Sequence, residues 1–230
     1  QTTWGDPPVS LDRAVVFDLD GTLVHSVPDL HPAVNRLLAE EGQPPVSLAA
    51  VTSMVGEGAT RLVQRAFAAV EIPLSEAAAA RYTERFREIY LEAPCTHTTL
   101  MPHARDVLER LAGRGVKLGL CTNKPLAHTR IILERLDLAG YFGAVIGGDS
   151  LAVRKPDPAP LLATLAPLGA DPRASVFVGD SATDRDTARA AGVAAVLVEG
   201  GYSDVPVRAL EADAHATDLA DLEALVERWT

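Results

Sequence analysis

Arg13-Ala14-Val15-Val16-Phe17-Asp18-Leu19-Asp20-Gly21-Thr22 runs from apolar to acidic within a few residues. A continuous apolar run of this length, with no alternation of polar and apolar positions, predicts a strand over 13–19 covered on both faces. Similar runs recur at Val116–Cys121, Ala144–Ile146, Ser175–Val178 and Val193–Val198. Helical text separates them at Ala104–Ala112, Leu126–Leu136, Ala159–Leu168 and Thr183–Ala191. Strand and helix in alternation predict an α/β fold, a doubly wound parallel sheet with helices on both faces.

Residues 27–93 break that alternation. Val34, Leu37 and Leu38, then Leu62, Val63, Ala66 and Phe67, recur at helical spacing, and Glu76–Leu91 is rich in Ala, Arg and Glu. Pro28, Pro44, Pro45, Pro73 and Pro94 divide the stretch into about four helices. The expected organisation is a core of residues 1–24 and 94–230 with an all-helical insert at 25–93.

The chain of 230 residues has room for such a core and insert, and its 47% apolar content excludes a disordered chain. A formal net charge of −10 disfavours nucleic acid and anionic membrane surfaces as partners. No apolar run approaches the roughly 18 residues of a membrane span. The first ten residues are polar and include Pro7 and Pro8, so no signal peptide is expected, and a cytoplasmic location is. Cys95 and Cys121, without metal-ligand spacing, read as buried thiols.

The polar residues that end the strands carry the chemistry. Asp18 and Asp20 are two apart, so in extended backbone both face one side, and Gly21 permits a sharp turn beyond them. Alone this is also the text of a polar turn. Thr122-Asn123 after the second long apolar run suits phosphoryl oxygens, and equally suits a helix cap before Pro125. Lys155, next to Pro156, is placed to neutralise a phosphate or a carboxylate, or is a solvated loop cation. Gly179-Asp180-Ser181 ends another run. Asp18, Asp180 and a backbone carbonyl are suited to a hard divalent cation. Asp184 and Asp186, in the first turn of the following helix, complement its dipole, with Asp184 the better candidate for the site. Each element is ambiguous by itself. Asp-x-Asp, Thr-Asn, Lys and Gly-Asp in this order form a full set for phosphoryl transfer.

These residues resemble the haloacid dehalogenase superfamily of phosphatases: Phe17-Asp18-Leu19-Asp20-Gly21-Thr22-Leu23, Thr122-Asn123, Lys155-Pro156, and Gly179-Asp180-Ser181 with Asp184. The likeness implies a Rossmann-like core, with the insert as that superfamily's helical cap. Within the superfamily, Val27-Pro28-Asp29-Leu30, Val55-Gly56-Glu57-Gly58, Lys155-Pro156-Asp157-Pro158 and Gly201-Tyr202 look most like phosphoglycolate phosphatases. His25 stands where phosphatases of this group usually have Asp.

The resemblance implies a Mg²⁺-dependent phosphomonoester hydrolase, with 2-phosphoglycolate as expected substrate. Asp18 would be the nucleophile and Asp20 the general acid/base. Thr122, Asn123 and Lys155 would hold the phosphoryl group. Asp18 and Asp180, with the Asp20 carbonyl, would hold Mg²⁺. Other small phosphates (sugar phosphate, nucleotide monophosphate, pyrophosphate) and a sugar phosphomutase are the alternatives. A receiver-like signalling module is disfavoured because the acidic pair lies on the first strand. A small-molecule phosphate ester is the expected partner, and a monomer or homodimer the expected state.

Overall fold

The computed structural model describes residues 13–226. The first apolar run forms β1 (Ala14–Phe17). After a turn come β2 (Val24–His25), α1 (Val27–Glu40), α2 (Leu48–Thr52), α3 (Ala59–Ala69) and α4 (Glu76–Glu92). The chain returns through β3 (Thr99–Leu100) into α5 (Ala104–Gly113), β4 (Lys117–Cys121), α6 (Leu126–Arg135) and β5 (Ala144–Ile146). It ends with α7 (Ala159–Leu168), β6 (Val176–Gly179), α8 (Ala182–Ala191), β7 (Ala194–Val198), β8 (Ala214–Ala216) and α9 (Leu222–Val226).

Six strands form one parallel sheet in the order β5-β4-β1-β6-β7-β8. Successive residues of a strand face opposite sides, so β1 serves two cores at once. Val15 and Phe17 pack with Leu108 of α5, Ile132 of α6 and Leu222 of α9. Ala14 and Val16 pack with Leu161 and Leu165 of α7 and Ala188 of α8. The predicted strand over 13–19 is shorter in the structure, because the chain leaves the sheet after Phe17. Cys121 ends β4 and is buried, while Cys95 is only partly buried, unlike the pair of buried thiols expected.

The stretch between β2 and β3 is helical, as its spacing predicts. Ser47 and Ser75 cap α2 and α4 by accepting from Ala50 N and Ala78 N. The helices have an apolar core of their own, in which Val34, Leu37 and Leu38 of α1 meet Val63 and Phe67 of α3 and Phe86 and Ile89 of α4. β2 and β3, where the chain leaves and returns, pair antiparallel through Val24↔Leu100 and His25↔Thr99. Asp29, buried in the first turn of α1, strengthens this junction. Its carboxylate accepts from Thr96 N (3.0 Å), His97 N (2.9 Å), Thr98 N (2.7 Å) and Thr98 Oγ1 (2.7 Å). No helix among the described residues is long and apolar enough to cross a membrane.

Candidate active site

β1 lies between β4 and β6, so the chain winds away from it in both directions, and ligands of open α/β sheets bind beyond the carboxyl ends at such a point. Asp18 and Asp20 follow β1, Thr122 to Lys124 follow β4, and Asp180 follows β6. Asp18, Asp20, Thr122, Asn123 and Lys124 line one cavity of about 40 Å³. The helical layer supplies much of the rest of its wall, including Leu30, Leu62, Phe86, Arg87 and Tyr90.

Three carboxylates, Asp18, Asp180 and Asp184, each offer an oxygen within 4.8 Å of the others, and all three residues are buried. Lys155 Nζ is 2.7 Å from Asp184 Oδ1 and 2.9 Å from Asp18 Oδ1. The contact with Asp18 is an ion pair, and no side-chain hydrogen bond to Asp18 Oδ1 accompanies it. Burial pushes the Asp18 carboxyl up to about 6; Lys155 opposes this and Asp184 adds to it. Burial, with Asp184 and Asp18, also raises Asp180 well above the usual carboxylate range. Burial disfavours the charge of Lys155, but Asp18 and Asp184 outweigh it and raise its pKa. One ammonium among three carboxylates leaves excess negative charge in a buried place. Three clustered carboxylates offering hard oxygen donors, with one ammonium to balance them, fit a small divalent cation such as Mg²⁺.

Local sequence explains how this crowding is built. Thr22 Oγ1 donates to Asp180 Oδ1 (3.0 Å), and Tyr202 N donates to Asp180 Oδ2 (2.6 Å). Gly21 has φ +84°, and a Cβ there would meet Asp180 Oδ2 at 2.5 Å, so the turn after β1 admits only glycine. Ser181 begins α8 with a capping box: its side chain accepts from Asp184 N, and Asp184 Oδ2 accepts from Ser181 N (3.1 Å). Asp184 is therefore both a helix-start residue and a member of the acidic cluster. Asp186 pairs with Arg185 at 2.8 Å, and its side chain is 46% exposed, away from the cluster.

Asp20 is held apart from the acidic trio. Ser26 Oγ donates to its Oδ1 (2.5 Å), and Lys124 Nζ lies 3.0 and 3.1 Å from its two oxygens. Lys124 also sits 4.7 Å from the centre of the Tyr90 ring. Burial works against the Lys124 charge, but Asp20 and Tyr90 outweigh it and raise its pKa. Lys124 is a site residue to which the sequence motifs assign no role. Thr122 is buried and accepts from Lys124 N (3.1 Å). Asn123, expected among the phosphate ligands, has its carboxamide engaged with backbone: it donates to Gly56 O and Lys155 O and accepts from Lys155 N, each at 3.1 Å. It ties the Lys155 loop to the helical layer.

His25 faces Tyr202, with Nδ1 3.0 Å from the phenol oxygen. That oxygen also accepts from Ser26 N (2.8 Å) and Val27 N (3.3 Å). Tyr202 thus connects Asp180 to the start of α1.

A sequence profile of haloacid dehalogenase-like hydrolases matches residues 13–192. The chain belongs to the haloacid dehalogenase-like hydrolase family. The matched span covers β1 through α8, and the four residues Asp18, Thr122, Lys155 and Asp180 all lie within it. The chain is 48% identical to the phosphoglycolate phosphatase of Rhodospirillum rubrum over 216 residues, 92% of this chain and 90% of that protein. It is 46% identical to the phosphoglycolate phosphatase of Cereibacter sphaeroides (strain ATCC 17029 / ATH 2.4.9), over 90% of this chain and 96% of that protein. The crystal structure of a predicted phosphoglycolate phosphatase from Haemophilus somnus superposes with a TM-score of 0.86 at 34% identity, over 94% of this chain and 99% of the other.

Proposed function

We propose that this hydrolase removes phosphate from 2-phosphoglycolate through an aspartyl-phosphate on Asp18, with Mg²⁺ as cofactor. The observation that carries the reading is Asp18 itself, a buried carboxylate at a cavity wall, clustered with Asp180 and Asp184 and ion-paired with Lys155 at 2.9 Å. A carboxylate so placed can attack phosphorus. The bond from phosphorus to the leaving oxygen breaks as the Asp18–phosphorus bond forms, and a second attack by water restores Asp18.

Asp20 gives its proton to the departing alkoxide and then takes one from the attacking water. Ser26 and Lys124 fix its carboxyl for both steps. Lys155, positioned by Asn123, offsets charge on Asp18 and the transferring group, and the Thr122 hydroxyl is placed for a phosphoryl oxygen. Asp18 and Asp180, with the Asp20 carbonyl and the support of Asp184, would hold Mg²⁺, which supplies charge neutralisation between carboxylate and dianionic phosphate.

Among the described residues the core is 13–24 and 94–226, and 25–93 is a cap; the expected core positions 1–12 and 227–230 lie outside the described residues. The cap excludes water from the cavity and limits the size of the leaving group. The names of the similar proteins favour a two-carbon phosphate over a hexose phosphate.

Phosphate release from a panel of esters tests this. The expected result is the highest kcat/KM on 2-phosphoglycolate, loss of activity with chelator, and recovery with Mg²⁺. Preference for a hexose phosphate, a nucleotide monophosphate or pyrophosphate would overturn the substrate, and full activity after exhaustive chelation would overturn the metal.

A further inference from the structure

Among the described residues, three buried side-chain atoms lack a hydrogen-bond partner: Asp18 Oδ1, Arg87 Nε and His128 Nδ1. All three residues line the same cavity. A buried polar atom left unpaired costs the folded state its full desolvation, so native proteins hold few of them. Their concentration around one cavity marks partners waiting for a ligand. Asp18 belongs to the chemistry above; Arg87 and His128 do not.

Arg87 lies on α4 and His128 in the first turns of α6. His128 Nε2 is 3.0 Å from Arg87 O; a carbonyl only accepts, so Nε2 carries the hydrogen. The imidazole ring also stacks on Tyr90, 5.1 Å between centroids. Arg87 is thereby held by its backbone at the cavity wall. Leu30, Leu62 and Phe86 make that wall largely apolar, and the Arg87 side chain, 32% exposed, spans from it to the surface with Nε on the buried side.

The cations near the cavity differ in what they have left to offer. Lys155 is engaged by Asp18 and Asp184, and Lys124 by Asp20. Arg87 pairs with Glu84 through Nη1 (2.7 Å), and the Glu84 side chain is 67% exposed. An exposed pair within one helix is weak and exchangeable. Arg87 therefore has binding capacity for an anion that is not the phosphoryl group.

We propose that Arg87 is the specificity-determining residue for a carboxylate on the leaving group. Its guanidinium holds the anion on the helical side of the cavity while the phosphoryl group meets Asp18 on the sheet side. The substrate class is a short phosphorylated hydroxy acid. The fork of N–H groups on arginine matches a carboxylate. A water donating one hydrogen to that carboxylate and the other to His128 Nδ1 satisfies the third unpaired atom. This inference rests on the reading that the cavity receives a phosphomonoester.

The test compares wild type, Arg87→Gln and Arg87→Lys on 2-phosphoglycolate and on 2-hydroxyethyl phosphate, a neutral-tailed ester of similar size. The expected result is that Arg87→Gln lowers kcat/KM on 2-phosphoglycolate by roughly 10- to 100-fold, mainly through KM. The same variant keeps its rate on the neutral ester within about threefold, which also controls for folding, and Arg87→Lys recovers part of the loss. Equal losses on both esters, or none on either, overturn the role of Arg87 while leaving the phosphatase reading intact. A wild-type enzyme that hydrolyses the neutral ester and not 2-phosphoglycolate overturns both.

Discussion

The carboxyl ends of β1, β4 and β6, with the loop before α7, crowd Asp18, Asp20, Lys124, Lys155, Asp180 and Asp184 into buried ground. The helices across the cavity bring Leu30, Leu62, Phe86 and Tyr90, with Arg87 as their charged contribution. On the sheet side, like charges sit closer than folding alone would favour: burial, with the neighbouring carboxylates, raises the pKa of both Asp18 and Asp180. On the helical side, apolar packing is ordinary and the polar groups are few. On the proposed function, reactivity and selection fall to separate layers: the sheet rim holds crowded like charges, and the helices supply shape.

Substitutions can break this division. Asp18→Asn has the largest expected effect, a fall in turnover on the order of 10⁴-fold or more, measured as phosphate release. The same change should stabilise the metal-free protein. The Asp18 carboxyl sits at about 6 in the fold against an ordinary value of 3.8. A raised carboxyl contributes stability that is fully present below pH 3.8 and is lost as pH rises through about 6. Asparagine never ionises and escapes that loss. Asp18→Asn and wild type should therefore unfold alike near pH 3.8, while above pH 6 the variant gains about 1–3 kcal/mol in denaturant titrations. A variant less stable than wild type at pH 7.5 would contradict a strained rim.

Lys124→Met comes next. It leaves Asp20 buried with its main counter-charge gone, which should cost about 3–5 kcal/mol. Combining it with Asp20→Asn should cost less than the two changes added together, because each removes half of one pair. Strict additivity in that cycle would dissolve the pair.

Leu38→Ala is the smallest of the three. Leu38 is fully buried in the core of the helical layer, and its truncation should cost about 2–4 kcal/mol in unfolding. Its kcat/KM on 2-phosphoglycolate should stay within about threefold of wild type. A large loss of turnover without loss of stability would show that the helical packing takes part in the chemistry.

Much of this was readable in the chain. Val15, Val16 and Phe17 specify a strand covered on both faces because no residue among them tolerates water. The spacing of Val34, Leu37 and Leu38 specifies a helix with one buried stripe. β2, β3 and β8 were not readable. Two- or three-residue segments such as Val24-His25 and Ala214-His215-Ala216 carry too little text to show a period, and only their neighbours hold them extended.

The ordered acidic, hydroxyl and amine residues pointed to phosphoryl chemistry from the chain alone: Asp18, Thr122 and Asp180 lie next to strand ends, which converge in a parallel sheet, while Lys155 arrives from the loop before α7. Asp184 and Asp186 show the limit. Both stand in the same helical turn with the same side chain, yet one is buried beside Asp18 and the other pairs with Arg185 at the surface. Arg87 and His128 show it again, because these residues of separate helices meet only where the fold brings His128 Nε2 to within 3.0 Å of Arg87 O. Local sequence determines which elements form and which chemical groups they carry. Which of those groups lose water and face one another depends on packing between distant parts of the chain, and that is settled only in three dimensions.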